Sequence, residues 1–394
     1  MNWAVPLLLL SSTPPLIEVP LDDAKTVSVQ ICIKLPSLSE FRKAAIPALA
    51  QSMIVQTQTY PAPTLRAYAS QTGEPLFAAV GPDCLRIGMS FPASQLPTAL
   101  SMAASILMEP RFTEESLQQA ISKTRRVVVD PWDAILRPEP PAPSRMSLEI
   151  VTDLYREFVR PGAVAVAVAG KFEPGAAKAA WEQKAFPWYS GRIQRVLEFP
   201  VLRASESRFP EAQGGELALP PVRLESPDAA ALGAIAYLLG GGKSASLHRT
   251  LRQALGISYR QEALLWPESD SMRIRILWAG ARGVSAQEAS AEARKALIAA
   301  VEGWTEADLG RARASARAAL SLGIGPNLFR AWIPGPQRGT SAEEAFLRAY
   351  WLLNSGNAEF ERLLVERMDR IELLRAKELA KQWLESAIAV AHSP

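Results

Sequence analysis

Few residues in this chain could carry metal or nucleophilic chemistry. Of its 394 residues only two are histidines, His248 and His392, and only two are cysteines, Cys32 and Cys84. Zinc needs three or four His, Cys or carboxylate ligands at characteristic spacings, and no H-x-x-x-H pair or Cys/His cluster occurs here. No G-x-S-x-G elbow accompanies either histidine, so Ser–His catalysis has no motif to rest on. The run Gly240-Gly241-Gly242-Lys243-Ser244 suggests a phosphate-binding loop. That pattern requires a glycine where Tyr237 stands, and a strand where Asp228–Leu239 has helical spacing. The run therefore reads as a glycine-capped helix end followed by a second helix, Ser244–Leu255, which carries His248.

The elements that must position any site form a duplicated series. Thr64-Leu65-Arg66 recurs as Thr250-Leu251-Arg252, and Phe112-Thr113-Glu114 recurs as Trp304-Thr305-Glu306. Both pairs lie about 190 residues apart, a common domain length. Between the anchors the order is the same in both halves: a strand, a long amphipathic helix, then a Thr-led helix start. Leu85–Phe91 and Met272–Trp278 alternate apolar and polar residues as half-buried strands do. Leu96–Leu107 and Ala286–Val301 have helical apolar spacing, and Thr113 and Thr305 fit helix N-caps. Ala163–Ala169, ending at Gly170, reads as the last strand of the first half. The expected fold is α+β: two similar domains, each a mainly antiparallel sheet covered by helices. They span residues 1–202 and 216–394, joined by a linker at 203–215. Asp130–Pro143 is proline-rich and expected to be an exposed connection, and helices should dominate from Ser341 onward.

Composition excludes several classes. Hydrophobic residues make up 48% of the chain and charged residues 21%, which supports a large core. The net charge is only +3 and no Lys/Arg run occurs, which argues against a nucleic-acid partner. Two cysteines are too few for a disulfide framework. No apolar stretch reaches the ~18 residues of a membrane-spanning helix. Trp3–Leu10 lacks the basic flank and cleavage site of a signal peptide, and it reads as a strand with Leu16–Pro20 as its hairpin mate. A cytoplasmic location follows from that reading, and a periplasmic one if residues 1–13 are a signal.

The second half carries a block that resembles the pitrilysin/insulinase-type metallopeptidases. It comprises Leu239-Gly240-Gly241-Gly242, Ser246-Leu247, Leu251-Arg252 and Leu255-Gly256-Ile257-Ser258-Tyr259. Pro161-Gly162-Ala163, ahead of the strand ending in Gly170, is similar to another segment of that family. Active members hold zinc on an H-x-x-E-H helix in their first half. In this chain the matching stretch is Ala48-Leu49-Ala50-Gln51-Ser52, on an expected helix Lys43–Val55. The two histidine positions hold Ala48 and Ser52, and the catalytic glutamate position holds Gln51. The third ligand position falls near Val129 or Asp130.

The resemblance implies a subunit that binds no metal and is inactive alone. Zinc is expected in a homologous H-x-x-E-H partner chain, with peptides as substrates and each chain forming half of a clam-shell chamber. It also implies roles for Arg252 and Tyr259, seven residues apart, as groups that bind substrate and support the transition state. A tyrosine hydroxyl can donate to a developing oxyanion without adding charge, and an arginine fork can hold a neighbouring carbonyl. A second reading keeps the same fold without chemistry: a structural or peptide-binding scaffold similar to the core subunits of the respiratory bc1 complex.

Overall fold

In the computed structural model, residues 13–35, 40–69, 76–81, 83–124, 146–160, 162–184, 214–279, 286–322 and 340–392 are described. The elements in chain order are β1 (Leu16–Pro20), β2 (Thr26–Lys34), α1 (Glu40–Met53), α2 (Ala62–Ala69), β3 (Phe77–Val80), β4 (Cys84–Pro92), α3 (Leu96–Met108), α4 (Glu114–Thr124), α5 (Leu148–Phe158), β5 (Val164–Gly170) and α6 (Ala176–Lys184). There follow β6 (Gly214–Ala218), β7 (Val222–Arg223), α7 (Ala229–Gly240), a π-helical turn (His248–Ala254), β8 (Arg260–Glu268), β9 (Ser271–Ala279), α8 (Ala286–Glu302), α9 (Glu306–Leu322), α10 (Ser341–Ser355), α11 (Phe360–Met368), α12 (Leu373–Glu385) and β10 (Ile388–His392). Among the described residues no helix is long and apolar enough to cross a membrane.

The chain divides into two compact units. The first comprises Met1–Leu197 with Ile333–Glu359, and the second Glu198–Trp332 with Phe360–Pro394. The first sheet has the order β1-β5-β2-β4-β3, in which only the β1–β5 pairing is parallel. Val27, Val29, Ile31 and Ile33 of β2 join Leu85, Ile87, Met89 and Phe91 of β4 in the core. Alternation in β4 implied one wet face, yet Arg86 and Ser90 on the other face are buried too. The reason is α10, which packs on β2 and β5 within the first unit. Its Ser341 hydroxyl lies 3.4 Å from Ser28 of β2, and its Glu343 meets Arg86 of β4.

In the second unit, β6 pairs antiparallel with both β10 and β9, and β7 continues along the same side of β9. β8 forms a hairpin with β9 on its opposite side. Every residue of α7 from Ala229 to Leu239 is buried, as expected of a helix that is apolar all round.

The repeated elements lie where their patterns put them, including both helix starts. Thr113 Oγ1 accepts from Ser116 N at 3.1 Å while Ser116 Oγ accepts from Thr113 N at 2.9 Å. Thr305 Oγ1 accepts from Asp308 N at 3.2 Å while Asp308 Oδ2 accepts from Thr305 N at 2.9 Å.

The structure revises some of the sequence expectations and leaves others outside the described residues. Residues 333–359 belong to the first unit, so the second is not the continuous stretch 216–394. Pattern alone could not reveal this, because an amphipathic helix does not encode which of two sheets it covers. β1 pairs in parallel with β5, and Trp3–Leu10, its expected hairpin mate, lies outside the described residues. Helices dominate from Ser341 onward, and the closing strand β10 follows them. Within the expected helix Ser244–Leu255, Ser246 and Leu247 are α-helical and His248–Ala254 are wound as a π-helix. Asp130–Pro143 and most of the 203–215 linker also lie outside the described residues.

Candidate functional site

Residues 48–52, which the resemblance aligned with the zinc motif, sit on α1. Ala48 and Ser52 are 2% and 1% exposed, facing a core shared with Leu49, Met53 and Ile87. Gln51 donates from Nε2 to the main-chain oxygen of Ala78 at 2.9 Å, tying α1 to the edge strand β3. This donor set does not fit a metal. Ala48 has no ligating atom, Ser52 is enclosed by core side chains, and an amide cannot act as the general base of an activated water. Among the described residues no group of three or more His, Cys, Asp or Glu side chains gathers into a metal-binding arrangement. Val129 and Asp130 lie outside the described residues.

In the second unit Lys243, Arg252 and Tyr259 are exposed. α7 ends at Gly240, where a Cβ would stand 2.7 Å from the main-chain nitrogen of Ala263, so only glycine lets the helix end lie against β8. The chain turns through Gly241 and Gly242 and enters the π-helical turn. Ser246 anchors this entry by accepting from the Trp304 indole at 2.9 Å, and Leu251 is wholly buried. The turn is widened because Leu255 N bonds back five residues to Thr250 O at 3.0 Å. Gly256 then adopts φ +66°, the left-handed conformation expected at this helix end, and Ile257 N closes on Leu251 O at 2.9 Å.

That reversal brings the two sequence-predicted residues together. Arg252 Nη1 donates to the main-chain oxygen of Tyr259 at 3.2 Å. The Tyr259 side chain is 75% exposed, one of only two large hydrophobic side chains so exposed among the described residues. Beside the pair is a cavity of about 220 Å³ lined by Gly240, Gly242, Lys243, Leu247, His248, Arg252 and Gln261. The Gln261 amide lies 3.2 Å from His248 Nδ1, and Ser258 Oγ lies 3.3 Å from Gln261 Oε1. With the Gln261 NH₂ donating to Nδ1, the neutral His248 ring keeps its proton on Nε2. Sequence reasoning missed Lys243 and Gln261 as parts of this site. Lys243 was weighed only as a phosphate-loop lysine. The signal for Gln261 was its place two residues beyond Tyr259 in an alternating strand, too common a pattern to single out.

Residues 145–316 match the family model described as the Peptidase M16 inactive domain. That segment of the chain is similar to the inactive domain of M16 peptidases. It contains both the glycine block and the Arg252–Tyr259 turn. No curated protein matches this chain. Among solved structures, it is similar to a protease from Helicobacter pylori, with 14% identity, TM-score 0.73 and 96% of each chain covered. It is similar also to the peptidase M16 inactive domain from Pseudomonas fluorescens, with 12% identity, TM-score 0.71 and 97% of each chain covered. A conserved protein from Enterococcus faecalis V583 gives 13% identity, TM-score 0.62 and 97% of each chain covered. At these identities the structural likeness establishes the fold of the chain.

Proposed function

We propose that this chain is the substrate-positioning subunit of a two-chain zinc metallopeptidase, paired with a homologous H-x-x-E-H subunit that holds the metal. The observation that carries this reading is the Arg252–Tyr259 turn. One arginine donor fixes the main chain at Tyr259, while the tyrosine side chain stays in solvent. An exposed phenol on an otherwise anchored turn can donate its hydroxyl to a group outside the chain. The closed, donor-poor α1 of the first unit supports the same reading, because the chemistry must then come from elsewhere.

In this mechanism the partner's metal supplies Lewis-acid polarisation and an activated water. This chain contributes binding and orientation. Tyr259 Oη donates to the peptide carbonyl oxygen as negative charge develops on it. Arg252, with four guanidinium N–H groups beyond the one given to Tyr259 O, holds that segment and a neighbouring substrate carbonyl. β8 begins beside Tyr259 and, among the described strands, pairs only with β9, so its outer edge could align an extended peptide.

The test is to co-purify the chain with an H-x-x-E-H homologue from the same genome and assay a quenched fluorescent peptide. The pair should cleave while neither chain does alone. Arg252→Ala and Tyr259→Phe should each cut turnover by about a hundredfold, the scale of one lost oxyanion donor. Association with no dependence on either residue would make the chain a scaffold of the bc1-core kind.

A further inference from the structure

The cavity beside Tyr259 gathers three basic side chains, Lys243, His248 and Arg252, and none of its seven lining residues is acidic. Elsewhere in the same unit arginines are neutralised internally: Arg273 by Glu268, Arg275 by Glu216, Arg317 by Asp369 and Arg375 by Asp228. Among the described residues no ion pair engages Lys243 or Arg252. The basic groups also sit on different elements. Lys243 follows the end of α7, while His248 and Arg252 lie one turn apart on the π-helical turn, so the folded chain brings them to one concavity.

We infer that this cavity receives a carboxylate of the bound peptide, either its C-terminal carboxylate or an acidic side chain. The inference rests on the peptide-positioning reading above and adds a preference for acidic groups to it. The volume of about 220 Å³ suits one small acidic group and falls below the ~300–1,000 Å³ of pockets that enclose drug-sized ligands. The donors are complementary to a carboxylate: an ammonium, a guanidinium with N–H groups to spare, and the Nε2–H that the Gln261 contact leaves on His248. Widening at the π-helical turn has a role here, because a tighter helix would shift Arg252 around the axis relative to His248.

Fluorescence anisotropy on the full chain tests this with three labelled nonapeptides of one neutral sequence: a free C-terminus, a C-terminal amide, and an amide carrying one internal Glu. At least one acidic peptide should bind about tenfold tighter than the neutral amide, the sum expected of two or three partly exposed charge contacts. Which of the two gains identifies the source of the carboxylate. Lys243→Glu should abolish the gain, and Lys243→Met should reduce it. Equal affinity for all three peptides, or a gain that survives Lys243→Glu, overturns the carboxylate site. If that binding still weakens in Tyr259→Ala, the positioning role survives. Absence of binding by every peptide overturns both.

Discussion

The two units use one series of elements for opposite ends. In the first, Thr64-Leu65-Arg66 lies on the regular helix α2, and the neighbouring α1 has given its motif positions to the core. In the second, Thr250-Leu251-Arg252 lies on a widened π-helical turn that opens on a basic cavity. Leu65 and Leu251 are both wholly buried, so the anchor of the tripeptide is common to the two halves. What differs is the chain around it. Ala48 and Ser52 pack into the core of the first unit, whereas in the second Gly240 lets α7 lie against β8 and Gly242 and Gly256 take positive φ. The contrast is one of side-chain packing in the first unit and backbone conformation in the second.

The sharpest way to break the comparison is through one buried arginine on each sheet, Arg86 and Arg275. Arg86 stacks on Phe346 at 4.3 Å and pairs with Glu343, which lies 257 residues away on α10. Burial pushes its guanidinium below the ordinary value, and Glu343 opposes that shift. Arg275 stacks on Trp266 at 4.7 Å and pairs with Glu216 of β6, 59 residues away. Removing either acid leaves a buried charge, so Glu343→Ala and Glu216→Ala should each cost about 3–5 kcal/mol in urea denaturation. Only Glu343→Ala should also raise amide exchange along α10. Equal protection of α10 in both variants would show that its apolar contacts alone hold it on the first sheet.

Restoring the zinc ligands probes the closed site. Ala48→His with Ser52→His forces two rings into positions 2% and 1% exposed, and overpacking should cost about 1–3 kcal/mol for each ring. A lower melting temperature with no zinc uptake by metal analysis is the expected result. Stoichiometric zinc in a stable variant would show that the first unit remains an open site.

The smallest difference lies in the duplicated helix caps. Thr113→Ala and Thr305→Ala should each cost about 1 kcal/mol at neutral pH. The Ser116 box does not titrate, whereas the hydrogen bonds from Thr305 and the nearby Arg311 hold the Asp308 carboxyl below its usual range. With a lowered folded-state value, its contribution is full above the ordinary Asp pKa of about 3.9 and is lost as pH falls through that lowered value. Acid titration of wild type against Asp308→Ser should therefore converge at low pH, by thermal melting, while the Thr113→Ala cost stays constant.

The sequence was legible wherever local pattern and final burial agree. Alternation placed β4 and β9, helical spacing placed α3 and α8, and the Thr-led starts gave both capping boxes. The spacing of Arg252, Gly256 and Tyr259 anticipated the reversal that brings Arg252 to the Tyr259 main chain. Residue identity alone also tells that Ala48 can offer no ligand, because its side chain has no donor atom in any fold.

Only the tertiary structure decided the rest. That α10 covers the first sheet rests on long-range contacts, among them a charge pair spanning 257 residues, which no local window contains. That Gln51 is tied to β3 depends on an edge strand formed by a distant segment. The π-helical turn is closed by Leu255 N on Thr250 O and lies between a buried Leu251 and the Ser246–Trp304 contact. Helical spacing read from sequence cannot register the extra residue. Lys243, His248, Arg252 and Gln261 share one cavity because a helix end, a widened turn and a strand converge there. Sequence fixes the chemistry each side chain can offer, but convergence is a property of long-range packing.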